Sequence, residues 1–339
     1  MIKKTSQNEN PRVVLTGDRP TGRLHLGHYA GSLKNRLLLQ ENSKVFILIA
    51  DLHAMTTNTD TSKIGGNVLD LVIDQLSVGL DPKKVTFFVQ SQIPEICELA
   101  IIFSMIIPKS TVERVPTLKD MLRDLKIKNP SMGLVNYPVL QAADILMAKT
   151  EVVPVGKDQA SHIELAREIA TRFNSLYGNV FPVPEPLIPK DTGILVGIDG
   201  NTKMSKSLGN AIFLTDTPEV IKEKVMQMYT DPGHIHVSNP GKIEDNVVFT
   251  FLDIFDKDKS EVDKLKMEYQ RGGLGDVVIK KRLIDVLDNF ISPIRDKREY
   301  LAKDPKAIME ILENGTKNVR KIAKETLKEV RRAMKIDYF

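Results

Sequence analysis

Cysteine occurs once in the 339 residues, at Cys97, and tryptophan does not occur at all. A single cysteine closes no internal disulfide and builds no cysteine-based metal cluster, so a cross-linked scaffold and a zinc ribbon are both excluded. The setting Ile96-Cys97-Glu98-Leu99-Ala100 predicts a packed thiol rather than a nucleophile, in a reducing cytoplasm. No apolar run reaches the length of a membrane-spanning helix. Residues 1–10 carry no apolar core of signal-peptide length and read as a short polar arm. Charge of one sign is also scarce: 48 basic against 44 acidic residues leave +4, too little by itself to mark a nucleic-acid binder. The missing tryptophan carries no functional reading, because a rare residue is easily lost by drift.

What is present suffices for a real core. Hydrophobic residues make up 42% and charged residues 27%, an ordinary globular balance for one large or two medium domains. The chain is organised around Gly17-Asp18-Arg19-Pro20-Thr21-Gly22-Arg23-Leu24-His25-Leu26-Gly27-His28. Val13-Val14-Leu15-Thr16 ahead of it reads as a buried strand, and Tyr29-Ala30-Gly31-Ser32-Leu33 behind it opens a helix continuing through Leu39. A strand, a Gly-rich turn and a helix N-terminus form a phosphate-binding geometry. His25 and His28 add hydrogen-bond donors there.

Further strands are expected at Val45–Ala50 and Val85–Val89, with a helix between them marked by Val68, Leu71, Val72, Gln75 and Leu76. Strands alternating with helices predict a doubly wound parallel sheet. Asp51-Leu52-His53-Ala54 puts polar groups at a strand's carboxyl end, where such sheets place ligands. Residues 92–135 read as an insertion: an apolar helical stretch around Leu99–Ile107, then a charged segment at Thr117–Lys128, its apolar face suiting either a dimer contact or the core. In Tyr137–Leu146, Pro138 suits the first turn of a helix, and Gln141 and Asp144 then share one face. Val152–Gln159 is a short strand entering a polar turn, after which Ser161-His162-Ile163-Glu164 reads as a capping box. Lys203-Met204-Ser205-Lys206-Ser207 forms a cationic loop suited to covering polyphosphate.

From Thr217 onward the pattern is almost all helix, broken at Asp231-Pro232-Gly233, Asn239-Pro240-Gly241 and Arg271-Gly272-Gly273. A boundary therefore falls near residues 210–217, giving a sheet domain over 1–212 and a helical domain over 213–339. The last helix, read over 316–335, carries eight Lys and Arg against two Glu. Its apolar stripe of Val319, Ile322, Ala323, Leu327, Val330 and Met334 leaves a basic outer face. A solvated face is the default reading of such a pattern; its place behind a nucleotide-binding domain shifts the reading toward RNA.

The His25-Leu26-Gly27-His28 and Lys203–Ser207 segments, in this order and separated by nearly the whole α/β region, resemble the two defining motifs of class I aminoacyl-tRNA synthetases. The finer pattern is similar to the tryptophanyl-tRNA synthetase family over Gly17–His28, Tyr137–Leu146, Val153–Arg167 and Gly273–Arg295. The resemblance implies a Rossmann-like catalytic domain followed by an all-helical, anticodon-binding domain, a cytoplasmic homodimer, and ATP with Mg²⁺, L-tryptophan and tRNA(Trp) as partners. It implies catalytic roles for His25, His28, Lys203 and Lys206. It implies ATP contacts from Arg19, Pro20, Thr21, Gly27, His28, Gly156, Lys157, Asp158 and Ile194, with Lys203, Met204, Ser205, Lys206 and Ser207. Asp144 falls on the aspartate that accepts the indole N–H. Tyr137 and Gln159 fall on positions holding the α-amino group, and Gln141, Leu15, Val153 and Val155 on the rest of the pocket.

The chain departs from many members of that family at His28 (Asn), Gln141 (Met), Leu15 (Phe) and Leu208-Gly209-Asn210 (Asp-Pro-x). Tyrosine–tRNA ligation is the alternative, since a phenol also donates a hydrogen bond. A small-molecule adenylyltransferase would give no reason for the basic helical domain. A non-catalytic paralogue would be expected to lose one of the four motif side chains, all present here.

Overall fold

A computed structural model describes residues 11–124, 126–156, 160–188 and 195–339. Its centre is a sheet of β1 (Val13–Asp18), β2 (Lys44–Ile49), β3 (Val85–Val89), β4 (Val152–Pro154) and β5 (Glu185–Leu187). Among the described residues these strands are all parallel, in the order β3-β2-β1-β4-β5. β5 left no trace in the pattern: it is three residues long, and Pro186 is tolerated because the strand lies at an edge. The order reverses between β1 and β4, and ligands of open α/β sheets bind at such a switch point.

Period-two alternation along the strands feeds two separate cores. Val14, Val45, Ile47, Val85 and Phe87 face one, and Leu15, Phe46, Leu48 and Phe88 face the other. The chain leaves β1 through the signature turn into the short helix α1 (Leu26–His28), a π-helical stretch at Tyr29–Leu33 and α2 (Lys34–Leu39). That helix begins three residues before the expected Tyr29, with His25 as its N-cap residue. α3 (Asp51–Ala54) follows β2, and α4 (Ile64–Val78) buries the expected Val68, Leu71, Val72, Gln75 and Leu76.

The segment after β3 forms α5 (Pro94–Ile106), α6 (Lys109–Glu113) and α7 (Pro116–Asp124). α5 packs on α8 (Met132–Met147), burying Ile96, Leu99, Ala100 and Phe103. That phase turns Cys97 outward, so its thiol is exposed rather than packed. In α8 the expected start is also corrected: Ser131 caps the helix, its Oγ accepting the Leu134 N–H at 3.2 Å, and Pro138 lies in the interior. After β4, α9 (Ala160–Tyr177) already contains Ser161, so Ser161 and Glu164 form no cap.

The C-terminal region consists of α10 (Pro218–Met226), α11 (Val247–Phe255), α12 (Lys259–Arg271), α13 (Asp276–Leu301) and α14 (Pro305–Ala333). Residues 227–246 are not helical, a longer interruption than two Pro-Gly breaks suggest. The last helix starts eleven residues before the expected 316, capped by Asp304. α14 runs past β3 from one core to the other: Ile308 and Leu312 join the first, and Val319, Ala323, Leu327 and Val330 the second. It covers the open edge of β3, where the Val89 N–H donates to Thr316 Oγ1 at 3.1 Å. Two of its basic side chains turn toward α5, Arg320 pairing with Glu95 and Arg331 with Glu98, so the outer face is less basic than counted. Among the described residues no helix is long and apolar enough to cross a membrane.

Candidate active site

A cavity of about 450 Å³ opens at the switch point, over the carboxyl ends of β1 and β2 and against α8. Of the residues named from the sequence, Leu15, Arg19, Thr21, His28, Tyr137, Gln141, Asp144, Val153 and Lys206 line it. His25, Pro20, Gly27, Gly156, Val155, Lys203, Met204, Ser205 and Ser207 do not form its wall. Lys157, Asp158, Gln159 and Ile194 lie outside the described residues.

The signature turn builds one wall of the site. The His25 and His28 rings sit 3.8 Å apart between centroids. The His25 backbone N–H donates to His28 Nδ1 at 3.1 Å, so the proton of a neutral His28 is on Nε2. Burial lowers His25 to about 3, helped by the neighbouring His28, Lys206 and Lys203 charges. Burial likewise lowers His28 to about 4, outweighing the pull of Asp18. Both rings are therefore neutral donors near pH 7.

The lysine loop meets this turn from across the chain. Lys206 Nζ donates to the Gly22 carbonyl at 2.7 Å, and Gly22 has φ +104°, a conformation glycine adopts without strain. Lys206 is half-buried and its pKa is lowered by that burial, whereas Lys203 is exposed. Met204 is buried, and its sulfur accepts the Gly27 N–H. Asn210, in the segment that departs from the familiar pattern, anchors the loop. Its Oδ1 accepts the Ser205 N–H at 2.8 Å, and its Nδ2 donates to Thr202 Oγ1 at 2.9 Å.

Asp144, which lines the same cavity, is 1% exposed and held on both oxygens. Gln90 Nε2 lies 2.9 Å from Oδ1 and 2.8 Å from Oδ2, and His53 Nε2 lies 2.8 Å from Oδ2. Burial pushes Asp144 above the usual carboxylate range, while hydrogen bonding from His53 and Gln90 pulls it back. A carboxylate has about four acceptor positions, so a further donor in the cavity still finds one. The Tyr137 hydroxyl is 3.1 Å from Thr117 Oγ1, which also contacts His162 Nε2.

Five residues of the site carry no role in the sequence reading: His53 and Asp18 stand in segments the sequence marks, at a strand's end and in the signature turn, whereas Gln90, Thr117 and Arg36 have no local signal. Arg36 is 2% exposed, and its guanidinium reaches Asp18 at 2.5 Å, Gln75 at 2.9 Å and Thr16 at 3.1 Å. Burial raises Asp18, but Arg36 outweighs it and keeps the carboxylate below its usual range at the cavity floor.

The arrangement presents one buried carboxylate acceptor and, in the same cavity, a neutral imidazole donor and a lysine cation. Comparison with known proteins agrees with this chemistry. The family model "tRNA synthetases class I (W and Y)" matches residues 7–292. A tryptophan–tRNA ligase of Chlamydia caviae is 49% identical over 330 residues, 95% of this chain and 95% of its own. One of Clostridium longisporum is 49% identical over 333 residues, 96% and 98% of the two chains. Among solved structures, tryptophanyl-tRNA synthetase from Campylobacter jejuni complexed with ADP and tryptophan has a TM-score of 0.85. It is 36% identical and covers 95% of this chain and 99% of that one.

Proposed function

Since the chain belongs to the class I tRNA synthetases for tryptophan and tyrosine, we propose that the cavity performs the first step of tryptophan–tRNA ligation and hands its product to tRNA(Trp). The substrate carboxylate attacks the α-phosphorus of ATP, giving tryptophanyl-adenylate and pyrophosphate. A ribose hydroxyl at the tRNA 3′ end then takes the acyl group. The observation that carries this reading is the buried Asp144 carboxylate, which lines the same cavity as His28 and Lys206.

A carboxylate is already ionised at pH 7, so the attack needs no general base. What remains is orientation and neutralisation of growing phosphate charge. His28 donates through Nε2 to a phosphate oxygen, and His25, its tilted ring 3.8 Å away between centroids, backs the same turn. Lys206 and Lys203 follow the leaving pyrophosphate. Among the described residues no three His, Cys, Asp or Glu side chains converge to hold a metal ion. Asp18, the acid on the cavity floor, is committed to Arg36. Mg²⁺ brought by ATP would supply further neutralisation of the phosphate charge, beside what His28, Lys203 and Lys206 provide.

Selection rests on Asp144. Indole N–H only donates, and phenylalanine would leave the buried acceptor without a partner. Tyrosine, whose phenol can also donate, is rejected by a pocket shaped for the broader bicyclic ring. Tyr137 and Gln159 hold the α-amino group, and Lys157, Asp158 and Ile194 complete the nucleotide site. The region beyond residue 212 carries the anticodon contacts, with Lys321, Lys324, Lys328 and Arg332 exposed on α14. A homodimer forms over Ile101 and Met105 of α5 and Met132 of α8, which are 58%, 74% and 78% exposed. Asn136 Nδ2 donates to Ser104 Oγ at 3.2 Å between these helices. Such an enzyme works in the cytoplasm.

The test is ATP–pyrophosphate exchange across the amino acids, followed by charging of tRNA(Trp). Tryptophan should support exchange while tyrosine and phenylalanine stay near background; faster exchange with tyrosine would overturn the specificity. Because the protein contains no tryptophan, fluorescence of the bound substrate reports binding directly.

A further inference from the structure

Both phosphate-motif segments are tied to one helix of the C-terminal region. Arg298 on α13 donates from Nε to Asp74 Oδ1 at 2.6 Å, and Asp74 Oδ2 accepts the Leu24 N–H at 2.8 Å. Leu24 immediately precedes His25. One turn earlier on α13, Arg295 donates to the Asp216 carbonyl at 2.7 Å. That segment leads back to Phe213, whose backbone bridges His25, and to Ile212, whose carbonyl accepts the Leu26 N–H at 2.9 Å. The turn is thus gripped from α4 on one side and from the strand leaving the lysine loop on the other, and α13 holds both grips.

Packing alone does not account for Asp74. Arg298 already has a second acid partner, Asp70, at 2.5 Å on the outer side of α4. The Asp74 side chain is 0% exposed and Arg298 14%, against 41% for Asp70. A carboxylate buried that completely is costly unless every acceptor is used, and Asp74 uses its second oxygen on the turn. Without it the Leu24 N–H, itself buried, has no other partner among the described residues.

We propose that Asp74 and Arg298 are positioning residues for adenylate formation, fixing the His25–His28 turn against the lysine loop and joining it mechanically to the helical region. The proposal rests on the ligase reading above. Asp74→Asn is the sharpest probe: an amide oxygen still accepts from Leu24, but its NH₂ then faces the Arg298 donor and the link breaks with little change of volume. Asp70→Asn removes the outer ion pair and leaves Leu24 untouched.

Full-length variants are compared by tryptophan-dependent exchange, by tryptophan fluorescence titration and by thermal melting. Asp74→Asn and Arg298→Ala should each lower kcat tenfold or more while the tryptophan KM stays within twofold. The double variant should be no slower than the worse single one, Arg298→Lys should recover part of the rate, and Asp70→Asn should stay within twofold of the parent. Unchanged kcat in Arg298→Ala, or an equal loss in Asp70→Asn, overturns the proposal. So does a loss that tracks the melting temperature across all variants. If Asp74→Asn fails to fold, the Arg298→Ala and Arg298→Lys pair still decides. A parent protein without tryptophan-dependent exchange would sink the ligase reading, a result visible before any variant is compared.

Discussion

The backbone N–H of Gly27 points at the sulfur of Met204 at 3.3 Å, so the two phosphate motifs touch across 177 residues of chain. A Cβ at Gly27 would sit 2.9 Å from the His25 ring and 3.3 Å from Met204 Cβ. Alanine normally helps a helix by up to about 1 kcal/mol over glycine, but overpacking at a tight contact costs about 1–3 kcal/mol. Gly27→Ala should therefore lose about 1 kcal/mol in urea unfolding and slow exchange roughly tenfold by displacing His25. A variant with parental kcat would mean the contact between the motifs has no part in adenylation.

For Asp144, the competing roles separate by ligand. Its bonds to Gln90 and His53 make it a structural residue as well as an acceptor facing the cavity. Loss of a hydrogen bond to a charged group costs about 1.5–3 kcal/mol, so Asp144→Asn should weaken tryptophan about 10- to 150-fold by fluorescence titration. ATP affinity should stay within about twofold, because His28 and Lys206 are untouched. Equal losses for both ligands would assign Asp144 to the scaffold alone.

The lysines differ in exposure, and their variants should differ too. Lys206 is half-buried and tethered to Gly22, while Lys203 projects to solvent. Both substitutions to alanine should lower the exchange rate and leave tryptophan affinity within about twofold. Lys206→Ala should cost more, roughly a hundredfold against tenfold, since a charge in a drier setting interacts more strongly. An unchanged rate in Lys206→Ala would remove the loop from the mechanism.

Legibility followed the range of the signal. The longer helix and strand patterns of the α/β region are readable because each buries its own apolar residues, on one periodic face as Val68, Leu71 and Val72 do in α4, or on both faces as in β2. Cys97 obeys the same phase rule against the apolar setting of its neighbours: with Ile96, Leu99 and Phe103 inward, position 97 points out. Motif residues were readable as chemistry, but their partners were not. Gln90 meets Asp144 across 54 residues and Arg298 meets Asp74 across 224, distances over which local composition carries no information. β5 was invisible for another reason, being a three-residue strand defined by its neighbour's hydrogen bonds rather than by its own side chains.

Acid should unfold the ligand-free protein through the signature turn. Burial holds His25 at about 3 and His28 at about 4, against an ordinary 6.5. Between those values the unfolded chain binds protons that the folded one refuses. The stability they contribute is therefore complete above pH 6.5 and drains away as pH falls toward 4. Two protons give a limiting slope of about 2.7 kcal/mol per pH unit. Urea midpoints measured from pH 7 to pH 4.5 should fall accordingly, and His28→Asn should remove about half the slope. A midpoint independent of pH in this window would mean that the two rings are solvated in the free protein.

Two glycine substitutions should act in opposite directions on stability. Gly315 lies inside α14, where alanine would ordinarily gain about 1 kcal/mol. Its Cβ would stand 2.0 Å from the Phe87 carbonyl oxygen, backbone against backbone, with no rotamer able to yield. The helix would have to lift from β3, which breaks the Val89–Thr316 hydrogen bond and leaves a buried strand edge without its donor's partner. Gly315→Ala should therefore lose about 2 kcal/mol or more in urea unfolding. Gly66, in the first turn of α4, has nothing within 4 Å of an added Cβ, and Gly66→Ala should gain up to about 1 kcal/mol. Thr316→Val keeps the volume and removes only the acceptor, so it should lose about 1–3 kcal/mol. A Gly315→Ala protein as stable as the parent would mean that α14 does not press on the edge of β3.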